Sequence, residues 1–139
     1  MIEYATRVRV RYAETDQMGF VYYGRYLEWF EVGRNELLRS IDMPYRRLEQ
    51  DGYWLPVIEA HCEYKKPARY DDEVTIVSRL AELPRLKIRI DYQILHENQM
   101  LAEGYTLHIF TNNKGQVARP PKYFIEHLKR YYTTENRES

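Results

Sequence analysis

Residues 15–41 read TDQMGFVYYGRYLEWFEVGRNELLRSI, and the change of period inside this stretch decides the fold. From Arg25 onward, Tyr26, Trp29, Phe30, Gly33, Leu37 and Ile41 recur at spacings of three and four, the period of one helix face. Glu28, Glu31, Arg34 and Arg39 occupy the other positions. A stripe this long and this aromatic is too broad for a peripheral helix. It predicts a helix held inside a curved sheet. The residues just before it follow neither the helical nor the strand period and carry Gly19 and Gly24, so they read as an irregular loop.

Strand patterns surround that helix. Upstream, Thr6, Val8, Val10 and Tyr12 alternate with Arg7, Arg9 and Arg11, which predicts a half-buried strand over residues 4–12. Downstream, Pro44 suits the first turn of a short second helix that Gly52 ends. Four strand-like runs follow. In the first, Ile58, Ala60, Cys62 and Tyr64 alternate with Glu59, His61, Glu63 and Lys65; the second carries Val74, Ile76, Ser78 and Leu80. The third alternates most clearly, through Leu86, Ile88, Ile90, Tyr92 and Ile94. The fourth spans residues 100–111, where Ala102, Gly104 and Thr106 form a smooth face that predicts close approach of a helix. The short turns at Leu83-Pro84, Glu97-Asn98 and 112–115 predict consecutive antiparallel hairpins. Pro120-Pro121 opens a last helix bearing Phe124, Leu128 and Tyr131. The order is that of an α+β domain over residues 1–132, with a polar C-terminal tail over 133–139. A sheet wrapped around one helix leaves an edge and a face open, and a second copy of the chain would cover them.

Composition narrows the function. At 139 residues, with 44% hydrophobic and 30% charged, the chain suits one globular core. A formal net charge of zero gives no attraction to nucleic acid or to an anionic membrane, though a local basic patch for a phosphorylated ligand is compatible with it. No apolar run approaches the ~18 residues a bilayer span needs. A single cysteine, Cys62, fits a reducing compartment, and residues 2–12 lack the continuous apolar core of a signal peptide, so the expected location is cytoplasmic. His96, His108 and His127 have no partner at metal-ligand spacing.

The segment TDQMGFVYYGRYLEWFE, residues 15–31, resembles the active-site segment of the 4-hydroxybenzoyl-CoA thioesterase family, the hotdog-fold acyl-CoA thioesterases. The matching positions are Asp16, Gly19, Val21, Tyr23 and Tyr26. The likeness continues through LPVIEAHCEYKKPARYDDEVTI, residues 55–76, to ARPPKYF at 118–124. Tyr23-Gly24 stands where many relatives carry His or Asn. The resemblance implies a hotdog fold: an antiparallel five-stranded sheet wrapped around a long central helix, with a C-terminal helix. It implies a homodimer or homotetramer acting on acyl-CoA; from charge, apolar run length and histidine spacing, no cofactor, metal, nucleic acid or membrane insertion is expected.

Thioester hydrolysis needs a base or nucleophile and a stabiliser for the charge that develops on oxygen. The resemblance gives the first role to Asp16, as base toward water or as attacking group. It gives the second to the Tyr23 backbone N–H, at a helix N-terminus whose free N–H groups carry partial positive charge. Gly19 would free the loop backbone, and Gly24 would let a ligand come close. The resemblance also puts Val57, Ile58 and His61 on the strand lining the acyl pocket of a neighbouring subunit, His61 reading as a polar sheet-face residue. Arg85, Lys87 and Arg119 occupy regions that resemble phosphate-contacting positions of the family, with a solvated surface charge as the alternative for each. Glu31 reads as a solvated or ion-paired helix glutamate, the alternative being that it faces the pocket and assists a water. A hotdog dehydratase would need a histidine before His61, and there is none. A non-catalytic acyl-thioester binding module would not need Asp16, and a carrier-protein thioester is an alternative substrate.

Overall fold

The structure, a computed structural model, describes residues 1–138. The chain forms β1 (Ile2–Arg9), α1 (Arg25–Ser40), α2 (Tyr45–Gln50), β2 (Tyr53–Trp54) and β3 (Val57–Tyr64). It continues through β4 (Glu73–Leu80), β5 (Lys87–His96), β6 (Gln99–Ile109), β7 (Thr111–Asn112) and α3 (Lys122–Glu138). Five strands make one antiparallel sheet in the order β1-β4-β5-β6-β3, while β2 and β7 pair separately. This is the expected hotdog arrangement, with α1 packed chiefly over β1 and β4. The last helix runs on through most of the polar segment 133–139; Ser139 lies outside the described residues.

The helical stripe buries as its period predicts. Tyr26, Trp29, Phe30, Gly33, Leu37 and Leu38 all face inward, and full burial of each large apolar side chain contributes roughly 1.5–3 kcal/mol. Phe30 stacks on Tyr92 of β5, their rings 4.2 Å apart and tilted by only 5°. The helix ends where Asp42 takes a left-handed φ of 60° and Pro44 follows as the cap of α2.

Three details depart from the sequence reading. The first strand ends at Arg9, and Tyr12 stands exposed on a short 3₁₀ turn (Tyr12–Glu14) that opens the loop. The close helix approach occurs at Gly33, where a Cβ would collide with the Ser78 hydroxyl and meet an Ile76 methyl at 2.7 Å. Gly104 serves a different contact: a Cβ there would collide with the His61 carbonyl oxygen of β3. The small face of β6 thus admits its neighbour strand rather than the helix.

β3 is an outer strand that α1 covers only in part. Val57, Ile58 and Tyr64 are 42%, 46% and 45% exposed, so neither face of this edge is closed by the rest of the chain. A register shift between Val57 and Glu59 inserts Ile58 as an extra residue.

Candidate active site

Residues 14–22 fold back on themselves before α1. The Tyr22 N–H donates to the Glu14 carbonyl (2.9 Å) and the Asp16 N–H to the Phe20 carbonyl (2.8 Å). Between them is a turn in which the Gly19 N–H donates to the Asp16 carbonyl, with Gly19 at φ 83°, a conformation that side chains disfavour. The connection from β3 to β4 holds this loop in place. The Val21 N–H donates to the Ala68 carbonyl (2.9 Å), the Ala68 N–H donates to the Tyr26 hydroxyl (3.1 Å), and the Arg69 guanidinium lies over the Phe20 ring. Val21 itself is buried, so it anchors the loop and presents little surface to a ligand.

Asp16 is half-buried, and one of its oxygens, Oδ1, accepts the Met18 N–H at 2.9 Å, the side-chain turn that aspartates form locally. Among the described residues its other oxygen has no hydrogen bond or ion pair, leaving one oxygen for chemistry. The adjoining helix start offers donors. Neither the Tyr23 nor the Gly24 N–H has an intramolecular acceptor among the described residues, whereas the Arg25 N–H donates to the Tyr22 carbonyl and the Tyr26 N–H to that of Tyr23. Gly24 takes ordinary helical angles, φ −63° and ψ −22°. Its lack of a side chain makes room for the Tyr22 ring, which a Cβ would meet at 2.9 Å.

Reading from sequence missed two neighbours. Glu14, only 5% exposed, accepts the Arg11 backbone N–H at 2.8 Å. Tyr64, at the end of β3, donates its hydroxyl to the Tyr23 carbonyl at 2.9 Å. The weak signal for Tyr64 was its place in an alternating run on the same face as Cys62, with nothing local to indicate a partner 41 residues earlier.

The strand residues divide between the two faces of the sheet. Val57 lines a cavity of about 310 Å³ between α1 and the sheet, together with Glu31, Arg34, Asn35 and His108. At its wall is a buried polar chain: the Tyr92 hydroxyl contacts Thr106 Oγ1 (2.7 Å), which contacts His108 Nε2 (2.8 Å). His108 Nδ1 then reaches the Leu55 carbonyl at 3.2 Å. Burial, with the Arg34 charge adding and the hydrogen bond to the Leu55 carbonyl opposing, lowers the His108 imidazole to about 4. His61 belongs to the opposite face. It stacks on Tyr105 and lies 3.3 Å from Glu63; the extra residue at Ile58 breaks the alternation that would otherwise put His61 on the face of Val57.

Arg85 and Lys87 line one cavity of about 770 Å³ with Arg89, where Glu82 and Asp91 are also wall residues; Arg119 is not among them. Arg85 also borders a second, of about 650 Å³, with Arg119, Lys122 and Lys129, where Glu126 is the one acidic wall residue. Among the described residues no group of three or more His, Cys, Asp or Glu is placed to hold a metal ion, and no helix is long and apolar enough to cross a membrane.

The pattern of the thioesterase-like superfamily matches residues 10–128. The acyl-CoA thioester hydrolase YbgC of Escherichia coli is 31% identical over 124 residues, which cover 88% of this chain and 92% of that protein. A hypothetical protein from Thermus thermophilus, of solved structure, is 37% identical with a TM-score of 0.87, covering 92% of this chain and 96% of that one. The DHNA-CoA thioesterase from Staphylococcus aureus is 28% identical with a TM-score of 0.91, covering 100% and 97%.

Proposed function

The chain belongs to the thioesterase-like superfamily, and from that membership we propose that it hydrolyses acyl-CoA thioesters with Asp16 as base or nucleophile and the Tyr23 N–H as oxyanion donor. Thioester hydrolysis is the activity its relatives are named for. The observation that carries the residue assignment is the pairing of an unengaged Asp16 oxygen with unengaged N–H groups at the start of α1. In one course the carboxylate takes a proton from water, the hydroxide adds to the carbonyl carbon, and the CoA thiolate leaves. In the other the carboxylate itself adds, the thiolate leaves, and water opens the resulting anhydride. Both pass through a tetrahedral oxyanion that the N–H groups stabilise.

The acyl group would lie along α1 toward Glu31, Val57 and Ile58, and the nucleotide phosphates against Arg85, Lys87 and Arg119. A protein of zero net charge must bind an anionic carrier through a few placed cations, and Arg85 borders both the cavity that holds Lys87 and the one that holds Arg119. Two-pronged guanidinium contacts suit phosphate oxygens. The test measures CoA thiol release over thioesters differing in chain length and ring content, on wild type and Arg85→Ala. The KM of the variant should rise about 10-fold with kcat much less changed, as for loss of a charged hydrogen bond common to ground and transition states. With a truncated pantetheine thioester the penalty should shrink; an equal penalty would put the nucleotide elsewhere.

The open β3 edge, together with exposed Leu27 and Val32 on α1, supports a homodimer or a dimer of dimers that covers them. Light scattering at micromolar concentration should give a multiple of the 17.0 kDa chain mass; an active monomer would contradict this. A cytoplasmic site of action accords with the free thiol of Cys62.

A further inference from the structure

We propose that Tyr64 is a positioning residue for this reaction: its hydroxyl holds the Tyr23–Gly24 peptide so that the Gly24 N–H joins the Tyr23 N–H as a second donor to the oxyanion. The proposal rests on the reading of Asp16 and Tyr23 given above and adds a residue to it.

A peptide unit is planar, with its C=O and N–H pointing in opposite directions, so fixing the Tyr23 carbonyl fixes where the Gly24 N–H points. That carbonyl has two donors. The Tyr26 N–H reaches it at 3.2 Å and the Tyr64 hydroxyl, more closely, at 2.9 Å. Donation to the carbonyl also polarises the amide and makes its N–H the better donor.

Tyr64 is built for this contact. Its ring meets Tyr26 edge-on at 5.0 Å and Tyr23 at 6.3 Å, and its backbone is paired with Ala102 of β6. Partial burial, with a hydrogen bond to the Cys62 thiol adding, pushes its hydroxyl well above the usual tyrosine range, so it keeps its proton and remains a donor. The loop does not depend on it for anchorage. The Val21–Ala68 and Ala68–Tyr26 hydrogen bonds tie the segment down independently. The Tyr64 hydroxyl acts instead on the one peptide that aims Gly24.

Tyr64→Phe keeps the ring contacts and removes the hydroxyl. The expected result is a kcat lower by about 10-fold, smaller than the ~10²–10³ for loss of a whole oxyanion donor, with KM within about twofold. A second readout is independent of activity. The chain has six glycines, so ¹⁵N-glycine labelling yields a short set of amide signals, and that of Gly24 should move more than the others. Wild-type kcat, a change confined to KM, an unmoved Gly24 signal, or collapse of the signals through unfolding would each overturn the proposal. Asp16→Asn, run alongside, separates the two readings: if it is inactive while Tyr64→Phe is unaffected, only the positioning role is lost. If Asp16→Asn is active, the underlying assignment fails.

Discussion

Asp16→Asn is expected to lower turnover of acyl-CoA by at least ~100-fold, the order contributed by a placed base or nucleophile. The fold should survive, because the feature that shapes the loop survives. Oδ1 accepts the Met18 N–H, and the amide oxygen of asparagine can accept it equally well. The backbone contacts that close the turn, Asp16 N–H to Phe20 and Gly19 N–H to Asp16, do not involve the side chain. What disappears is the second carboxylate oxygen, replaced by an NH₂ group that neither attacks a carbonyl carbon nor takes a proton from water. KM should change little, since the proposed acyl and nucleotide contacts lie elsewhere. Thiol release, followed with the thermal unfolding midpoint, separates loss of chemistry from loss of structure. Near wild-type turnover would shift the role to another carboxylate, with Glu31 first because it borders the cavity beside α1.

The second large effect is on stability in acid. His108 is buried, and burial keeps its imidazole neutral down to about pH 4, against an ordinary value of 6.5. The unfolded chain therefore takes up a proton at a pH where the folded chain does not. Stability from this site is complete above about pH 6.5 and is lost as pH falls from there toward 4. At 1.36 kcal/mol per pH unit, the loss between pH 7.5 and 4.5 is roughly 2–3 kcal/mol. The cost is physical: a protonated ring would place charge among Thr106, Tyr92 and the Arg34 guanidinium, with the Leu55 carbonyl as one acceptor. Urea unfolding at fixed protein concentration should show the decline, and His108→Gln should flatten it between pH 6.5 and 5. If the variant declines as steeply as wild type there, carboxylates account for the acid sensitivity and His108 does not.

Periodicity was enough to read the elements because their faces are set by neighbours in sequence. The three-and-four spacing from Tyr26 to Leu37 and the alternation from Ile88 to Ile94 each report a side buried by the element's own geometry. The hairpin at Glu97-Asn98 was legible for the same local reason: both residues take positive φ, 50° and 66°, as a two-residue turn requires. Asp16, Gly19 and Tyr23 were legible as a segment, through its resemblance to a family motif, because the proposed chemistry and the turn that would carry it are continuous in the chain. Arg85 and Lys87 share a cavity because they lie two apart beside one strand.

What sequence alone could not decide were contacts between distant residues. The chain does not say locally that Gly104 makes room for the backbone of β3, or that Gly33 makes room for Ser78 and Ile76; each smallness is equally visible, and only packing assigns its partner. Val57 and His61 sit on the same short strand, yet the extra residue at Ile58 and the alternation after it send them to opposite faces. Tyr64 reads as one more alternating apolar residue, and its hydroxyl finds the Tyr23 carbonyl only when β3 is laid beside the start of α1. The sequence by itself determined the elements, the loop and its carboxylate, since these depend on angles and spacings within a few residues. The tertiary structure alone decided which groups meet across the sheet and which donors stay free, since those depend on where separate segments come to rest.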